Sequence, residues 1–280
     1  MKLEKFKNEA LTDFSKKDNR KAFEKGLEKT RDRFNKEYPL YIGSEMIFTE
    51  EKIRSYNPSN KDEIVGTFQK ATTELAIKAI ETAYEKFQEW KNVPAKKRAE
   101  YLLKAAKIMR KRKNEFSAMM VFEEGKNWVE ADADTAEAID FMEFYAREML
   151  RYAGDQPLVK AKGEKGKLEY LPLGVGIVIP PWNFPLAILV GMSTASIVTG
   201  NTIVLKPSSD SPAIAQMFVE LMQEIGLPDG VLNFLTGSGG SVGDILVQHR
   251  LTRYISFTGS MEVGLRINEL AAKKIGRAHV

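Results

Sequence analysis

Cysteine is absent from the 280 residues, and only two histidines occur. Without cysteine the chain has no disulfide bond, no thiolate metal ligand and no thiol nucleophile of its own. His249 lies between Gln248 and Arg250 in a polar stretch, and His279 is in the tail. Neither histidine has a partner at metal-ligand spacing, so we expect no metal site.

Long uninterrupted apolar runs are missing as well. The longest apolar stretch, Leu171–Leu205, is broken by the proline-rich segment 180–185. A membrane-spanning helix needs about 18 or more consecutive apolar residues, so we interpret this stretch as core. The N-terminus carries mixed charge in place of the apolar core of a secretion signal. We therefore expect a cytoplasmic location and no membrane partner.

The excess of positive charge is small. Lys and Arg number 42 against 38 Asp and Glu, which an ordinary solvated surface explains. The basic run Lys107–Lys113 has apolar residues at helical spacing and no aromatic residue on which a base could stack. We interpret it as an exposed helix face and expect no nucleic-acid partner.

Apolar periodicity predicts a largely helical first half. Residues 1–55 are interpreted as an N-terminal arm, charged and helix-prone from 6 to 36 and extended from Tyr38 to Ile42. The amphipathic helices predicted after it run over 75–90, from Pro94 to Met109, over 116–122 and over 131–152. Gly154 follows the last of them and is expected to be its left-handed cap.

The pattern changes after Gly154. Gly163 and Gly166 divide the segment 155–171 into short alternating stretches, which predicts a protruding β-hairpin. Strands are then predicted over 174–179, 202–205, 231–235 and 254–257, and helices over 185–198 and 212–225. Apolar strands without polar alternation, separated by helices, predict an α/β fold: an open parallel Rossmann-like sheet with helices on both faces.

Right-handed crossovers place every strand-to-helix turn of such a sheet along one edge, where ligands bind. The first unusual turn there is 180–185, in which prolines on both sides hold the backbone of Asn183 nearly fixed. A preorganised amide can stabilise a developing oxyanion, and one such donor lowers a barrier by about 3 kcal/mol. A rigid turn whose asparagine caps a helix explains the same residues equally well.

Two further turns have chemistry suited to an anionic or polyhydroxyl ligand. Lys206, at a strand's carboxyl end and before a proline, can reach a ribose or a phosphate. The Ser208–Asp210 segment behind it is expected to cap the next helix. In the third turn, Gly259 ends a strand, so that the Ser260 hydroxyl and free backbone N–H groups face any anion. In the glycine-rich turn 237–243 a flexible loop is the simpler explanation.

Three of these segments together resemble the aldehyde dehydrogenase superfamily: Pro181–Pro185, Leu205–Ser208 and Phe257–Gly264, in this order and spacing. The likeness runs from about Tyr56 to Lys274, and 56–274 would form the dinucleotide-binding domain. Residues 138–147 and the long arm look like the 1-pyrroline-5-carboxylate dehydrogenase branch of that superfamily.

The resemblance implies an NAD cofactor lying across the carboxyl edge of the sheet. The residues expected to contact it are Ile179, Trp182, Lys206, Ser209, Gly243, Thr258, Gly259, Ser260 and Gly264. Relatives that prefer NAD often carry a glutamate three positions after the lysine, where this chain has Ser209. A hydroxyl neither grips the ribose 2′-OH strongly nor repels a 2′-phosphate, so NADP stays open as an alternative.

The resemblance also implies a reaction. Asn183 would donate to the thiohemiacetal oxyanion, Phe184 would line the aldehyde channel, and Glu143 would hydrogen-bond around the catalytic centre. The expected activity is NAD(P)-dependent oxidation of L-glutamate 5-semialdehyde to L-glutamate in proline degradation, by a homo-oligomer. The alternatives are another aldehyde as substrate, or a binding fragment without catalysis.

In this superfamily an activating glutamate and a cysteine nucleophile follow the last motif, and neither is present here. We therefore expect the catalytic domain to be absent, the chain to be inactive by itself, and apolar surface to be exposed. The tail Ile275–Val280 is what a widely used short-read sequencing adapter encodes in one reading frame. It is expected to be non-native.

Overall fold

The structure, a computed structural model, describes residues 3–159, 162–273 and 277–279. The helices are α1 Lys17–Arg31, α2 Thr73–Trp90, α3 Ala95–Lys111, α4 Lys113–Glu124, α5 Trp128–Tyr152, α6 Ala187–Val198, α7 Pro212–Glu224, α8 Asp244–Gln248 and α9 Met261–Ala272. The strands are β1 Glu37–Tyr38, β2 Leu40–Ile42, β3 Glu45–Ile47, β4 Lys52–Asn57, β5 Asn60–Gln69, β6 Val175–Ile179, β7 Thr202–Leu205, β8 Leu232–Phe234, β9 Thr252–Phe257 and β10 Arg277–His279.

The main sheet has the strand order β10-β9-β6-β7-β8-β2-β3, and β10 to β8 run parallel to one another. Its strands send alternate side chains to two cores. Ile177 and Val204 pack with α2, α8 and α9 on one face, whereas Val178 and Leu205 pack with α3, α5, α6 and α7 on the other. The predicted open parallel sheet with helices on both faces is therefore confirmed.

The N-terminal residues pack closely against the rest of the domain, through strand pairing and hydrogen bonds. The predicted break into extended structure is confirmed, and β2 pairs with β8 through Tyr41 and Phe234, so that β2 and β3 extend the main sheet. No helix occurs in residues 3–16. There, Thr12 donates from its backbone N–H (2.8 Å) and its hydroxyl (2.6 Å) to the Asp132 carboxylate of α5.

Two expectations at the end of α5 are wrong. Across 155–159 and 162–171 no residue is in a strand, although the Tyr152 and Tyr170 rings meet edge to face at 5.1 Å. An isolated two-stranded hairpin is only marginally stable in water. The described residues of this segment are almost all exposed, so no packing stabilises strand pairing there. Gly154 is not left-handed, because the Gln156 amide satisfies the last carbonyls, at 3.0 Å from Arg151 O and from Tyr152 O.

None of the helices within the described ranges combines the length and the apolar character that a membrane crossing requires.

The centre of the sheet depends on a close approach between β6 and β9. Gly176 lies beside Tyr254, and a Cβ atom at position 176 would be 2.2 Å from the Cζ atom of that ring. Since the tyrosine is buried in a packed layer, it cannot move aside cheaply. Glycine is therefore required here for space.

We expect Gly176→Ala to lower the free energy of unfolding by about 2–3 kcal/mol, because overpacking a rigid core forces side chains out of their preferred positions. Urea denaturation measures the change. Gly154→Ala is the matched control, since its Cβ would lie 3.5 Å from the nearest atom, an ordinary contact. Equal stability of the two variants would contradict the steric argument.

Candidate functional site

A cavity of about 920 Å³ opens where β6, β7 and β9 end. Its walls are the three turns 180–183, 206–210 and 257–260 together with the start of α8. The predicted residues that line it are Ile179, Trp182, Asn183, Lys206, Ser209, Gly243, Thr258, Gly259 and Ser260. The prediction that the three turns meet at one edge of the sheet is confirmed, while the role of each residue stays a prediction.

The sheet itself holds these turns together. β6 lies between β7 and β9, and its backbone carbonyls accept hydrogen bonds from the first residue after each neighbour. Lys206 N donates to Val178 O at 2.9 Å, and Thr258 N donates to Ile179 O at 3.3 Å. The parallel register therefore sets the spacing of the turns.

Lys206 is a buried amine in the cavity wall. The residue is 6% exposed, and its Nζ atom donates to the neighbouring Pro207 carbonyl at 3.3 Å, with no ion pair to a carboxylate in the described chain. Burial without an acidic partner lowers the pKa of Lys206 to about 8. An amine with unused donors is suited to bind hydroxyl or phosphate oxygens of a ligand.

The third turn presents the beginning of α9. The Ser260 hydroxyl accepts from Val263 N at 3.4 Å and caps this helix. Gly259 lies so close to the Phe257 ring that a Cβ atom there would be 2.9 Å from it. Gly264, predicted to contact the ligand, is instead buried inside α9 and does not line the cavity. The backbone N–H groups at the N-terminal end of α9 can bind an anionic group of a ligand in the cavity.

Asn183 is exposed at the cavity, and no hydrogen bond to its carboxamide occurs in the described residues. α6 begins only at Ala187, preceded by Leu186. The interpretation of Asn183 as a helix cap is therefore wrong, and its amide is available to a ligand. Trp182 beside it is 57% exposed and forms part of the wall.

The capping of α7 differs from the expectation. Ser208 and Ser209 bond to Asp210 and to Gly237 O rather than to α7. The first N–H groups of α7 donate to the buried carboxyl group of Glu123, at 2.7 Å from Ala213 N and 2.9 Å from Ile214 N. Because this acceptor comes from α4, 90 residues away in sequence, no local pattern could indicate it.

α6 is capped from a distance in the same way. Ala187 N donates to Asp134 Oδ1 at 2.6 Å, and the other carboxylate oxygen of Asp134 forms a 2.6 Å ion pair with Lys126. Burial raises the pKa of Asp134, against the effect of that lysine. The Lys126 ammonium also lies 4.6 Å from the centre of the Phe184 ring. Sequence reasoning missed both residues. An acidic side chain inside the predicted helix 131–152 was an available signal for Asp134, whereas Lys126 lies between predicted helices and had none.

Two predicted substrate residues lie outside the cavity. Glu143 forms ion pairs with Arg110 (3.1 Å) and Arg147 (2.6 Å), so it does not hydrogen-bond around the predicted centre. Its position on α5 turns it away from α6, a rotation that spacing alone did not reveal. Phe184 follows Asn183 but packs against Lys126 and is 46% exposed. Among the described residues, no cluster of His, Asp and Glu side chains is arranged to hold a metal ion.

Burial raises the pKa of Glu123 to about 7. The folded chain therefore keeps this proton while the unfolded chain loses it near the ordinary value of 4.5. We expect the free energy of unfolding to fall by up to about 3 kcal/mol as the pH rises through this window. Glu123→Gln should make this slope shallower in urea denaturation between pH 4.5 and 8. Part of it should remain, because burial also raises the pKa of the neighbouring Glu124.

Glu89→Gln, which changes an exposed carboxyl on α2, is the control and should keep the slope of the unaltered chain. Parallel loss of stability in Glu123→Gln and in the unaltered chain over this pH range would contradict the contribution of Glu123.

The sequence model described as "Aldehyde dehydrogenase family" matches residues 47–280. A 1-pyrroline-5-carboxylate dehydrogenase of Geobacillus sp. (strain WCH70) is 55% identical over 271 residues, which make up 97% of this chain and 53% of that protein. Relatives from Bacillus cytotoxicus and Bacillus cereus with the same name are 54% identical. The chain thus spans about half the length of the curated relatives it matches.

Solved structures are similar over the same extent. The crystal structure of 1-pyrroline-5-carboxylate dehydrogenase from Thermus with bound NAD matches with a TM-score of 0.95 and 46% sequence identity. The match covers 99% of this chain and 55% of the Thermus chain. Proline utilization A from Bdellovibrio bacteriovorus matches with a TM-score of 0.93 and 40% sequence identity. The match covers 98% of this chain and 29% of the Bdellovibrio chain.

Proposed function

Because the chain belongs to the aldehyde dehydrogenase family, we propose that it is the dinucleotide-binding part of an enzyme that oxidises L-glutamate 5-semialdehyde to L-glutamate with NAD⁺. The observation that carries the proposal is the buried Lys206 amine, without an acidic partner, at the cavity between the ends of β6, β7 and β9. The names of the similar proteins support the substrate and a role in proline degradation. The NAD bound in the Thermus relative supports the cofactor.

The volume of the cavity, about 920 Å³, and the polar groups in its walls support a dinucleotide as the ligand. Lys206 and Ile179 would hold the adenosine ribose, because an orphaned amine there can donate to ribose hydroxyls. The start of α9 at Ser260 would bind the pyrophosphate, and Trp182 would lie along it. Thr258 would face the nicotinamide. NAD⁺, when bound, supplies the hydride acceptor.

NADP is proposed as a second acceptor. The Ser209 hydroxyl donates to Gly237 O at 3.3 Å, and no carboxylate stands at this position to repel a 2′-phosphate. Asp210 next to it is bonded to Ser208. A neutral side chain discriminates weakly between a 2′-hydroxyl and a 2′-phosphate.

Asn183 is proposed as the oxyanion donor and Phe184 as part of the aldehyde channel. The thiol nucleophile typical of this family has no counterpart in the 280 residues, so we propose that these residues bind the cofactor without turnover. Exposed apolar side chains at Val159 and Leu171 support assembly of the whole protein into a homo-oligomer. Domain limits of 1–55, 56–274 and 275–280 belong to the same proposal.

We expect NAD⁺ to bind the chain in isothermal titration calorimetry and Lys206→Met to weaken binding by about 10-fold or more, since a charged donor contributes roughly 1.5–3 kcal/mol. Burial lowers the pKa of Lys206 to about 8. Affinity should therefore fall as the pH rises through 8 and the ammonium loses its proton. In Lys206→Met this pH dependence should disappear.

Lys78→Met is the matched control, because Lys78 is an exposed lysine paired with Glu45 away from the cavity. It should bind NAD⁺ as the unaltered chain does. Unchanged affinity in Lys206→Met would refute the proposed ribose contact.

We expect the chain to form no NADH when it is incubated with L-glutamate 5-semialdehyde and NAD⁺. NADH formation is measured by its absorbance at 340 nm. The Geobacillus relative, assayed in parallel, is the positive control for substrate quality. NADH formation by the 280 residues would disprove the need for a thiol outside them. Binding of NAD⁺ without turnover would support the proposed division of roles.

A further inference from the structure

α6 and α7 both begin directly after turns of the cavity, and neither has a side-chain cap of its own. An uncapped helix start leaves backbone N–H groups without partners, which is costly when they are buried. For α6 the missing acceptor is Asp134 of α5, which takes the Ala187 N–H at 2.6 Å. The start of α6, and with it the end of the turn 180–186, is therefore held from another helix.

The second oxygen of Asp134 binds Lys126, which lies in the short connection between α4 and α5. The Asp134 side chain is fully buried and the Lys126 side chain 12% exposed. Lys126 also places its ammonium 4.6 Å from the centre of the Phe184 ring. The pair thus contacts the chain on both sides of Pro185: Lys126 contacts Phe184 before it, and Asp134 binds Ala187 after it.

We propose that Lys126 and Asp134 are positioning residues, which hold the turn 180–186 so that Asn183 and Trp182 face the cavity. The purpose of this placement rests on the proposed function, since it concerns the amide proposed as oxyanion donor. The geometry of the placement does not, because Asp134 and Lys126 contact Ala187 and Phe184 whatever ligand the cavity binds. Asn183 has no hydrogen bond in the described residues and so depends on its neighbours for its orientation.

A purely structural role would make the pair one of several equivalent buried ion pairs. α5 carries such a pair two residues earlier, between Asp132 and Lys113 at 2.9 Å, with side chains 1% and 11% exposed. Its carboxylate binds Thr12 of the N-terminal segment and not α6. The two pairs match in chemistry, burial and helix, and they differ in the segment that they hold.

Hydrogen exchange of the whole chain, read by mass spectrometry, separates the two roles, since protection reports local opening. Lys126→Met and Asp134→Asn should raise exchange at amides 186–190 at least 10-fold. Lys126→Arg should restore it to within about twofold, because a guanidinium keeps both contacts. Asp132→Asn should leave these amides unchanged and raise exchange at Thr12.

Lys126→Met decides the matter by itself where Asp134→Asn does not fold. Unchanged exchange at 186–190 in Lys126→Met would overturn the proposal, and so would an equal rise at these amides in Asp132→Asn, which would indicate a general loosening. Failure of Lys126→Arg to restore protection would overturn it as well.

NAD⁺ titration separates this inference from the proposed function. If the unaltered chain binds NAD⁺, Lys126→Met should weaken affinity at least threefold and Lys126→Arg should restore it, because Trp182 is in the cavity wall. Unchanged affinity in Lys126→Met would overturn the link between the pair and the cavity. If the unaltered chain does not bind NAD⁺, the proposed function fails, and the exchange pattern alone decides whether the pair holds the turn.

Discussion

Buried carboxyl groups that accept hydrogen bonds from backbone N–H groups across long sequence distances hold the cavity edge in place. Glu123 binds the start of α7 and Asp134 the start of α6. Each of these helices follows a turn that lines the cavity, so the layer formed by α4 and α5 determines where both turns lie. A carboxylate at a helix start is also favoured by the helix dipole, which partly offsets the cost of its burial.

The cavity combines buried charge with exposed apolar and amide groups. Lys206 is desolvated without an acidic partner, an arrangement that stability alone does not favour. Asn183 and Trp182 are exposed although prolines make their turn rigid. Groups that are rigid, polar and unsatisfied belong to binding sites more often than to cores.

Local patterns predicted much of the fold and most of the cavity. β7 has the predicted bounds, 202–205, and α7 begins at Pro212 as predicted. The errors lie where a distant group decided the outcome. The Gln156 amide donates to the last carbonyls of α5, where a left-handed Gly154 was expected. The Glu123 carboxyl group accepts from the start of α7, where serine caps were expected. The expected hairpin is not paired in the described residues, because alternation alone does not stabilise two strands that nothing covers.

By itself, the sequence determined the order of strands and helices from α2 to α9 and the chemistry of the turns, because proline, glycine and apolar periodicity act over a few residues. It did not indicate β4 and β5. The tertiary structure alone decided which distant side chains reach the turns of the cavity. Glu143 points to Arg110 and Arg147, whereas Lys126 and Asp134 reach the turn of Asn183. The rotation of a packed helix and its contacts with distant segments depend on the whole core, which no local pattern encodes.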